Sequence, residues 1–311
     1  MIATVTLNPA VDKSVTVRSF EIGKTNRGTV DRVDAGGKGI NVAKALRHLG
    51  CEVCALGFLA GNNGGFILDV LRVEGVCADF VDVPGETRVN LKIHDSELGT
   101  ETEMNEPGFS VATEHLDELK RKVEEHAAKA RLMVFSGSLP SEAPPEIFAD
   151  LIRIAKARGA KCFLDTAGPA VKLGLEAGPS LIKPNRAEVE ELLKATLATR
   201  YELVDAARKL MGMGCEQVLI SLGADGAVGV AGDEALFAQP PSVRVRSTVG
   251  AGDTMMAIMA YAAMEGIPFR EAFRMAVAAS AATVAMEGTR VADLASVEAL
   301  LPQVILEDAA R

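Results

Sequence analysis

Two kinds of hydrophobic run alternate along the chain. Ile2-Ala-Thr-Val-Thr-Leu7, Leu132-Met-Val-Phe135, Lys161-Cys-Phe-Leu164 and Val218-Leu-Ile220 are short apolar runs. That pattern suits strands covered on both faces. Ser14-Val-Thr-Val-Arg18 and Thr29-Val-Asp-Arg-Val33 are instead short, polar and alternating, and Thr87-Arg-Val-Asn-Leu-Lys-Ile-His94 alternates strictly. In the last, Val89, Leu91 and Ile93 share one face, and Arg88, Asn90, Lys92 and His94 the other. Period two predicts one dry and one wet face, as in an antiparallel sheet. Two kinds of strand imply two sheets.

From about residue 110 helices and strands take turns. Leu116, Leu119 and Val123 mark a helix over 113–130, and Pro144-Pro145 open another that stops at Gly159. A further helix carries Glu188, Glu190 and Glu191, and a hairpin turns at Gly232-Asp233. This β-α-β-α order predicts an α/β fold with a mainly parallel sheet between two layers of helices. The expected core takes in 1–10, 36–85 and 109–311; a small antiparallel lid takes 11–35 and 86–108. The dry face of the lid needs a cover, and the lid of a second subunit would supply one.

The stretch from 243 to 264 is the most specific. Val243 and Val245 alternate with arginines, which predicts a strand; Gly250-Ala251-Gly252 break it. From Thr254 alanines and methionines predict a helix buried nearly all round. Asp253 is the one charge between Arg246 and Glu265. It can cap the helix, or it can take a proton beside an anion cradled by the backbone N–H groups of Gly250, Ala251 and Gly252. The helix N-terminus is expected to lower its pKa.

A second glycine run, Ala35-Gly-Gly-Lys-Gly-Ile-Asn41, also precedes a helix. It is neither a Walker-A loop nor G-x-G-x-x-G. Its glycines would let backbone amides approach a ligand, with Asn41 reaching hydroxyls. Asp12 follows the first strand, where ligand groups gather in open α/β sheets, though such an Asp is more often a turn former.

Composition narrows the class. Over 311 residues the net charge is −9, which argues against a nucleic-acid partner. No segment is long and apolar enough to span a membrane, and Met1-Ile-Ala-Thr-Val5 lacks the basic start of a signal peptide, so the expected location is cytoplasmic. The five scattered cysteines, Cys51-x-x-Cys54 included, are expected to be free thiols, with no zinc site or disulfide framework.

Two motifs carry a resemblance to the PfkB carbohydrate kinases, whose fold is ribokinase-like: Gly36-Gly-Lys-Gly-Ile-Asn-Val-Ala43 and Ser247-Thr-Val-Gly-Ala-Gly-Asp-Thr254. Asn8-Pro-Ala-Val-Asp12 precedes both, and Ser136-Gly-Ser-Leu-Pro140, Lys183-Pro-Asn-Arg-Ala-Glu188 and Ser221-Leu-Gly-Ala-Asp-Gly226 fall between them, in the family's order. The motifs at 8–12 and 247–253 resemble the branch that phosphorylates ketohexose phosphates. The resemblance implies ATP- and Mg²⁺-dependent conversion of fructose 1-phosphate to fructose 1,6-bisphosphate, with tagatose 6-phosphate or fructose 6-phosphate as alternatives.

It further implies roles for individual residues. Asp253 matches the catalytic base, and Gly250, Ala251 and Gly252 the anion hole. Asp12, Gly36, Gly37, Asn41 and Ser136 fall on the sugar side, with Arg88 and Arg27 on the sugar's phosphate. Lys183, Asn185, Ser221, Gly223 and Gly226 fall on the nucleotide side, and Glu188 on magnesium. Lys38 stands where relatives carry Gly, and is expected to reach a phosphate. A non-catalytic regulator would be expected to lack Asp253 or Glu188, and a dinucleotide-dependent dehydrogenase would want G-x-G-x-x-G after the first strand.

Overall fold

In the computed structural model, which describes residues 1–286 and 292–309, the chain starts in the middle of its main sheet. β1 (Ile2–Thr6) is buried throughout. The chain then leaves for the lid hairpin β2 (Ala10–Val17) and β3 (Gly28–Gly36), and returns through α1 (Lys38–His48), β4 (Val53–Leu59), α2 (Gly61–Val73) and β5 (Cys77–Asp82). A second lid hairpin follows, β6 (Arg88–Asp95) and β7 (Thr100–Asn105). Next come α3 (Thr113–Ala127), β8 (Leu132–Ser136), α4 (Ile147–Ala157), β9 (Lys161–Asp165), α5 (Pro169–Glu176) and the short β10 (Leu181–Ile182). The last third holds α6 (Arg186–Leu193), α7 (Arg200–Gly212), β11 (Gln217–Ser221), β12 (Ala227–Ala231), β13 (Glu234–Gln239), α8 (Ala251–Glu265), α9 (Phe269–Val284), α10 (Leu294–Leu300) and β14 (Ile305–Asp308).

The ten-stranded sheet runs β14-β13-β12-β11-β10-β9-β8-β1-β4-β5. From β11 to β5 every pairing is parallel; β12, β13 and β14 close that edge antiparallel. One apolar core lies under α3 to α7, with Phe135, Phe148 and Leu119, and the other under α1, α2 and α8 to α10, with Ile40, Met256 and Phe273. The α/β fold with helices on both faces is therefore as expected. Chain order turns back at β1, which has β4 on one side and β8 on the other. Such a switch point opens a crevice at the carboxyl ends of the strands.

Four features differ from the sequence reading. The lid sheet, β3-β2-β6-β7, is antiparallel in its two hairpins, but β2 and β6 pair parallel, Ala10 with Arg88 through Val17 with Asp95. Parallel neighbours need a long crossover, and here α1 to β5 supply it, so alternation alone could not set the direction. Val243 and Val245 lie in an irregular segment rather than a strand. Pro240 and Pro241 precede them, and prolines have no N–H to extend the β13 ladder. Cys54 and Cys77 stand opposite each other in β4 and β5 and form a disulfide; Cys51, Cys162 and Cys215 are free, as expected. Finally, β14 adds an edge strand that the polar run Ile305-Leu-Glu-Asp308 did not announce. Among the described residues no helix is long and apolar enough to cross a membrane.

Candidate active site

The crevice gathers most of the residues named above. α8 begins at Ala251, behind Gly250 in the left-handed region (φ 79°). The N–H groups of Ala251, Gly252 and Asp253 precede the first intrahelical bond, Thr254 N–H to the Gly250 carbonyl (2.8 Å). Thr254 Oγ1 donates to the same carbonyl at 2.9 Å and accepts from Thr283 Oγ1 at 3.0 Å, which pins the turn. Asp253 lies inside the first turn and caps nothing. Its Oδ2 accepts from Asn41 Nδ2 at 2.8 Å, so the two glycine runs, 212 positions apart, meet at this carboxylate.

The expected lowering of the Asp253 pKa is reversed. Burial, and next the charge of Asp165, push it up from 3.8 to about 6; Asn41, Lys38 and Lys183 only partly oppose this. A dipole effect of a helix end is modest, and desolvation of a carboxylate that is 7% exposed outweighs it.

Asp165, at the end of β9, received no role from the sequence. It is 1% exposed and anchors both lysines of the site: Lys38 Nζ lies 2.9 Å from Oδ1 and Lys183 Nζ 3.1 Å from Oδ2. Burial would raise the Asp165 pKa, but the charges of Lys183 and Lys38 hold it below 3.8. Burial would likewise lower that of Lys38, and Asp165 more than reverses it. Lys183, expected on the nucleotide side, therefore sits at the N-terminal end of α8. A side chain at Gly252 would place its Cβ 3.0 Å from Lys183 Nζ. Lys38 has Asp165 as its partner, and no phosphate is needed to explain its position.

On the lid, Asp12 Oδ1 accepts from Asn90 Nδ2 (2.8 Å), and Asn90 Oδ1 accepts from Arg88 (3.1 Å). Arg88 also reaches the carbonyl of Asn8 (3.4 Å). Gly36 lies so close to the Asp12 carboxylate that no Cβ fits, and Gly37 adopts φ 114° as the N-cap of α1. Ser136 Oγ and Asn41 Oδ1 are buried without a hydrogen-bond partner among the described residues. Burial pushes the Asp12 pKa up. Arg27 is not brought into this group; it is exposed in the β2–β3 loop. A cavity of about 140 Å³ instead joins Asp12 and the lid's Arg32, Lys92 and His94 to the 246–249 segment. Arg246 also lines that wall; the strand expected over its segment gives it no such place.

Asn185 and Glu188 make a reciprocal cap on α6: Asn185 Oδ1 accepts from Glu188 N–H (2.9 Å), and Glu188 Oε2 accepts from Asn185 N–H (2.8 Å). The N-x-x-E spacing thus already has a structural use. Ser221 bridges Asn185 at the end of β11, and Gly223 (φ 62°) opens the following turn. Gly226 has no room for a Cβ against the Ala238 carbonyl, so packing alone requires it.

Comparison with known proteins decides the family. The pfkB family carbohydrate kinase profile matches residues 5–295. The chain belongs to the pfkB family. It is 41% identical over 280 residues to the 1-phosphofructokinase of Rhodobacter capsulatus, covering 90% of this chain and 89% of that protein. It is 34% identical over 306 residues to the 1-phosphofructokinase of Bacillus subtilis, covering 98% of each. The crystal structure of phosphofructokinase-2 from Escherichia coli in complex with substrates and products superposes with a TM-score of 0.91 at 31% identity, covering 97% of this chain and 98% of that one. The chain is thus a carbohydrate kinase, and kinases of this family use ATP.

For this kinase Asp253→Asn separates chemistry from fold. If Asp253 is the expected base, the change should lower kcat by roughly 10²- to 10⁴-fold with KM nearly unchanged. Wild-type kcat/KM should rise with pH through about 6, as Asp253 loses its proton. The folded state holds that proton more tightly than the unfolded state, so stability falls as pH rises from 3.8 to about 6 and stays lower above it. A shift of that size is worth about 3 kcal/mol. Calorimetry should therefore find Asp253→Asn more stable than wild type at pH 8, the gap closing as pH falls from 6 toward 4.

Asp165→Asn leaves two ammonium groups without their anion and should cost about 3 kcal/mol of stability. It also removes the repulsion on Asp253, so the acid limb of kcat/KM should move below about 6. An unmoved limb in a folded variant would exclude Asp165 from the electrostatics of the base.

Proposed function

We propose that this kinase transfers the γ-phosphoryl group of ATP to the free primary hydroxyl of a ketohexose phosphate, fructose 1-phosphate first among them. The 34–41% identity to proteins named 1-phosphofructokinase supports the substrate. The Asn41–Asp253 hydrogen bond supports the chemistry, because it joins a hydroxyl-reading amide to a buried base at the free end of α8.

In this reading the sugar lies on Asp12, Gly36, Gly37, Asn41 and Ser136. The unpartnered Asn41 Oδ1 and Ser136 Oγ would receive its hydroxyls. Arg88 grips the phosphate already present, with Arg27 reaching it only if the lid loop moves inward. The hydroxyl oxygen forms a bond to the γ-phosphorus as the bond to the β–γ bridging oxygen breaks; ADP leaves, and the hydroxyl proton passes to Asp253. The N–H groups of Gly250, Ala251 and Gly252 would face the charge that develops, with Lys38 and Lys183 beside them. A loose transition state asks little of the base, and a pKa of about 6 suits its task near neutral pH better than an ordinary carboxylate would. Lys183, Asn185, Ser221 and Gly223 bound the nucleotide side, where Gly226 shapes the turn.

Mg²⁺ fits as a companion of the nucleotide. Among the described residues no three His, Cys, Asp or Glu side chains cluster as a metal cage. Glu188 is one half-exposed carboxylate, which suits an ion that keeps waters and phosphate oxygens as its other ligands. Such an ion would neutralise phosphate charge. The proposed location is the cytoplasm, where nucleotides and sugar phosphates meet.

ADP release should be measured with fructose 1-phosphate, fructose 6-phosphate and tagatose 6-phosphate at matched concentrations. The first is expected to give the highest kcat/KM, and Arg88→Ala to raise its KM far more than it lowers kcat. Equal use of unphosphorylated fructose would overturn the phosphate grip.

The lid also supports a homodimer. Val30, Val33 and Met104 are 49%, 43% and 58% exposed, and pair across the lid with Val15, Lys13 and Leu91 on the face opposite Asp12. An identical lid would cover them. Sedimentation at micromolar concentration should give a dimer for the wild type and monomers for Leu91→Asp; a monomeric wild type would exclude the arrangement.

A further inference from the structure

α1 buries a charge that phosphoryl transfer does not use. Lys44 is 6% exposed and lies one turn beyond Asn41. Its Nζ donates to the carbonyl of Ala35 at 3.2 Å and makes no salt bridge with any described residue. Asp34 is held by Arg32 at 2.6 Å, and Asp34, Glu74 and Asp12 act on Lys44 only through space. Burial accordingly pushes the Lys44 pKa down. Its ammonium carries three donors, and one is satisfied by the protein. A group this poorly paired opposes folding, so packing does not explain a lysine here.

The partner of that one bond is informative. Ala35 pairs with Val11, and Gly36 pairs with Ala10 at the end of β3, immediately before Gly37. Gly36 is the residue against the Asp12 carboxylate, and Gly37 carries φ 114° and starts α1. Asn41 N–H holds the Gly37 carbonyl at 2.9 Å from the same helix. The glycine pair is therefore tied to α1 at both ends, by Asn41 behind it and by Lys44 in front. Glycines confer no stiffness of their own, and a subsite built on them needs such ties to keep one shape.

We infer that Lys44 is a positioning residue for the sugar subsite: its ammonium clamps the Ala35 carbonyl and thereby fixes Gly36 and Gly37 beneath Asp12. The inference rests on the sugar lying at Asp12, Gly36 and Gly37. A residue kept for position and not for stability has a distinctive signature. Lys44→Met keeps length and shape and removes the charge and the bond.

The wild-type enzyme is first given all three ketohexose phosphates, and whichever it phosphorylates best is used thereafter, so a wrong choice of sugar does not affect the result. Lys44→Met should raise the KM for that sugar about tenfold or more, with kcat and the KM for ATP within about twofold of wild type. Its Tm should hold or rise. Lys44→Gln, which can still donate to Ala35, should recover part of the sugar KM. Without any substrate, hydrogen exchange over 35–41 should quicken in Lys44→Met and not elsewhere in α1. An unchanged sugar KM with unchanged exchange would overturn the inference. So would a fall in Tm accompanied by equal rises in both KM values, which marks a structural role alone.

Discussion

The site depends on one buried carboxylate. Asp165 has almost no exposed surface and holds Lys38 from α1 and Lys183 from the end of β10. Burial disfavours an ammonium, and at Lys38 the charge of Asp165 more than offsets it. Removing Asp165 would therefore undo more than an ion pair. It fixes two positive charges at the crevice before any phosphate arrives, and it raises the pKa of Asp253. One buried carboxylate thus acts on both lysines and on Asp253.

Crowding of charge explains the glycines better than flexibility does. Gly36 has no space for a Cβ against Asp12, and at Gly252 one would press on Lys183. The backbone comes within reach of carboxylate and ammonium only because side chains are missing there. Gly250 is different, for its left-handed φ of 79° turns the chain into α8. Thr254 and Thr283 then lock the turn from behind. Small residues thus serve two separate needs within three positions.

Much of this was legible in the chain. Apolar runs without alternation marked the buried sheet, and alternation marked the lid, because side-chain period reports how many faces are covered. It does not report direction, so the parallel β2–β6 pairing was invisible. The motif glycines and Asp253 stood out by composition. Asp165 did not: one carboxylate at a strand end looks like a turn former, and the lysines it holds lie 127 positions before it and 18 after. Lys44 was hidden as well, since a lysine on a helix is normally solvated and only packing reveals that this one is not. The raised pKa of Asp253 could not be read either, because the sequence shows its helix end but not its depth. Cys54 and Cys77 were misread for a similar reason: strand register, not spacing, brings them together.

Among the described residues no direct hydrogen bond joins the lid row to Asp253; in the proposed reading the sugar joins them. Asp12, Asn90 and Arg88 form one hydrogen-bonded row across the two lid hairpins, and Arg88 continues it to the Asn8 carbonyl after β1. Asn41 and Asp253 form a second pair on the core. Gly36 lies against Asp12 and five positions before Asn41 in the chain. A ligand spanning Asp12 and Asn41 would close that gap, and the same act would orient the hydroxyl at Asp253. A smaller molecule that reached only one row could bind without being held in line. Discrimination by size and by the second phosphate would then follow from the separation of the two rows, with no moving part beyond the lid that carries one of them.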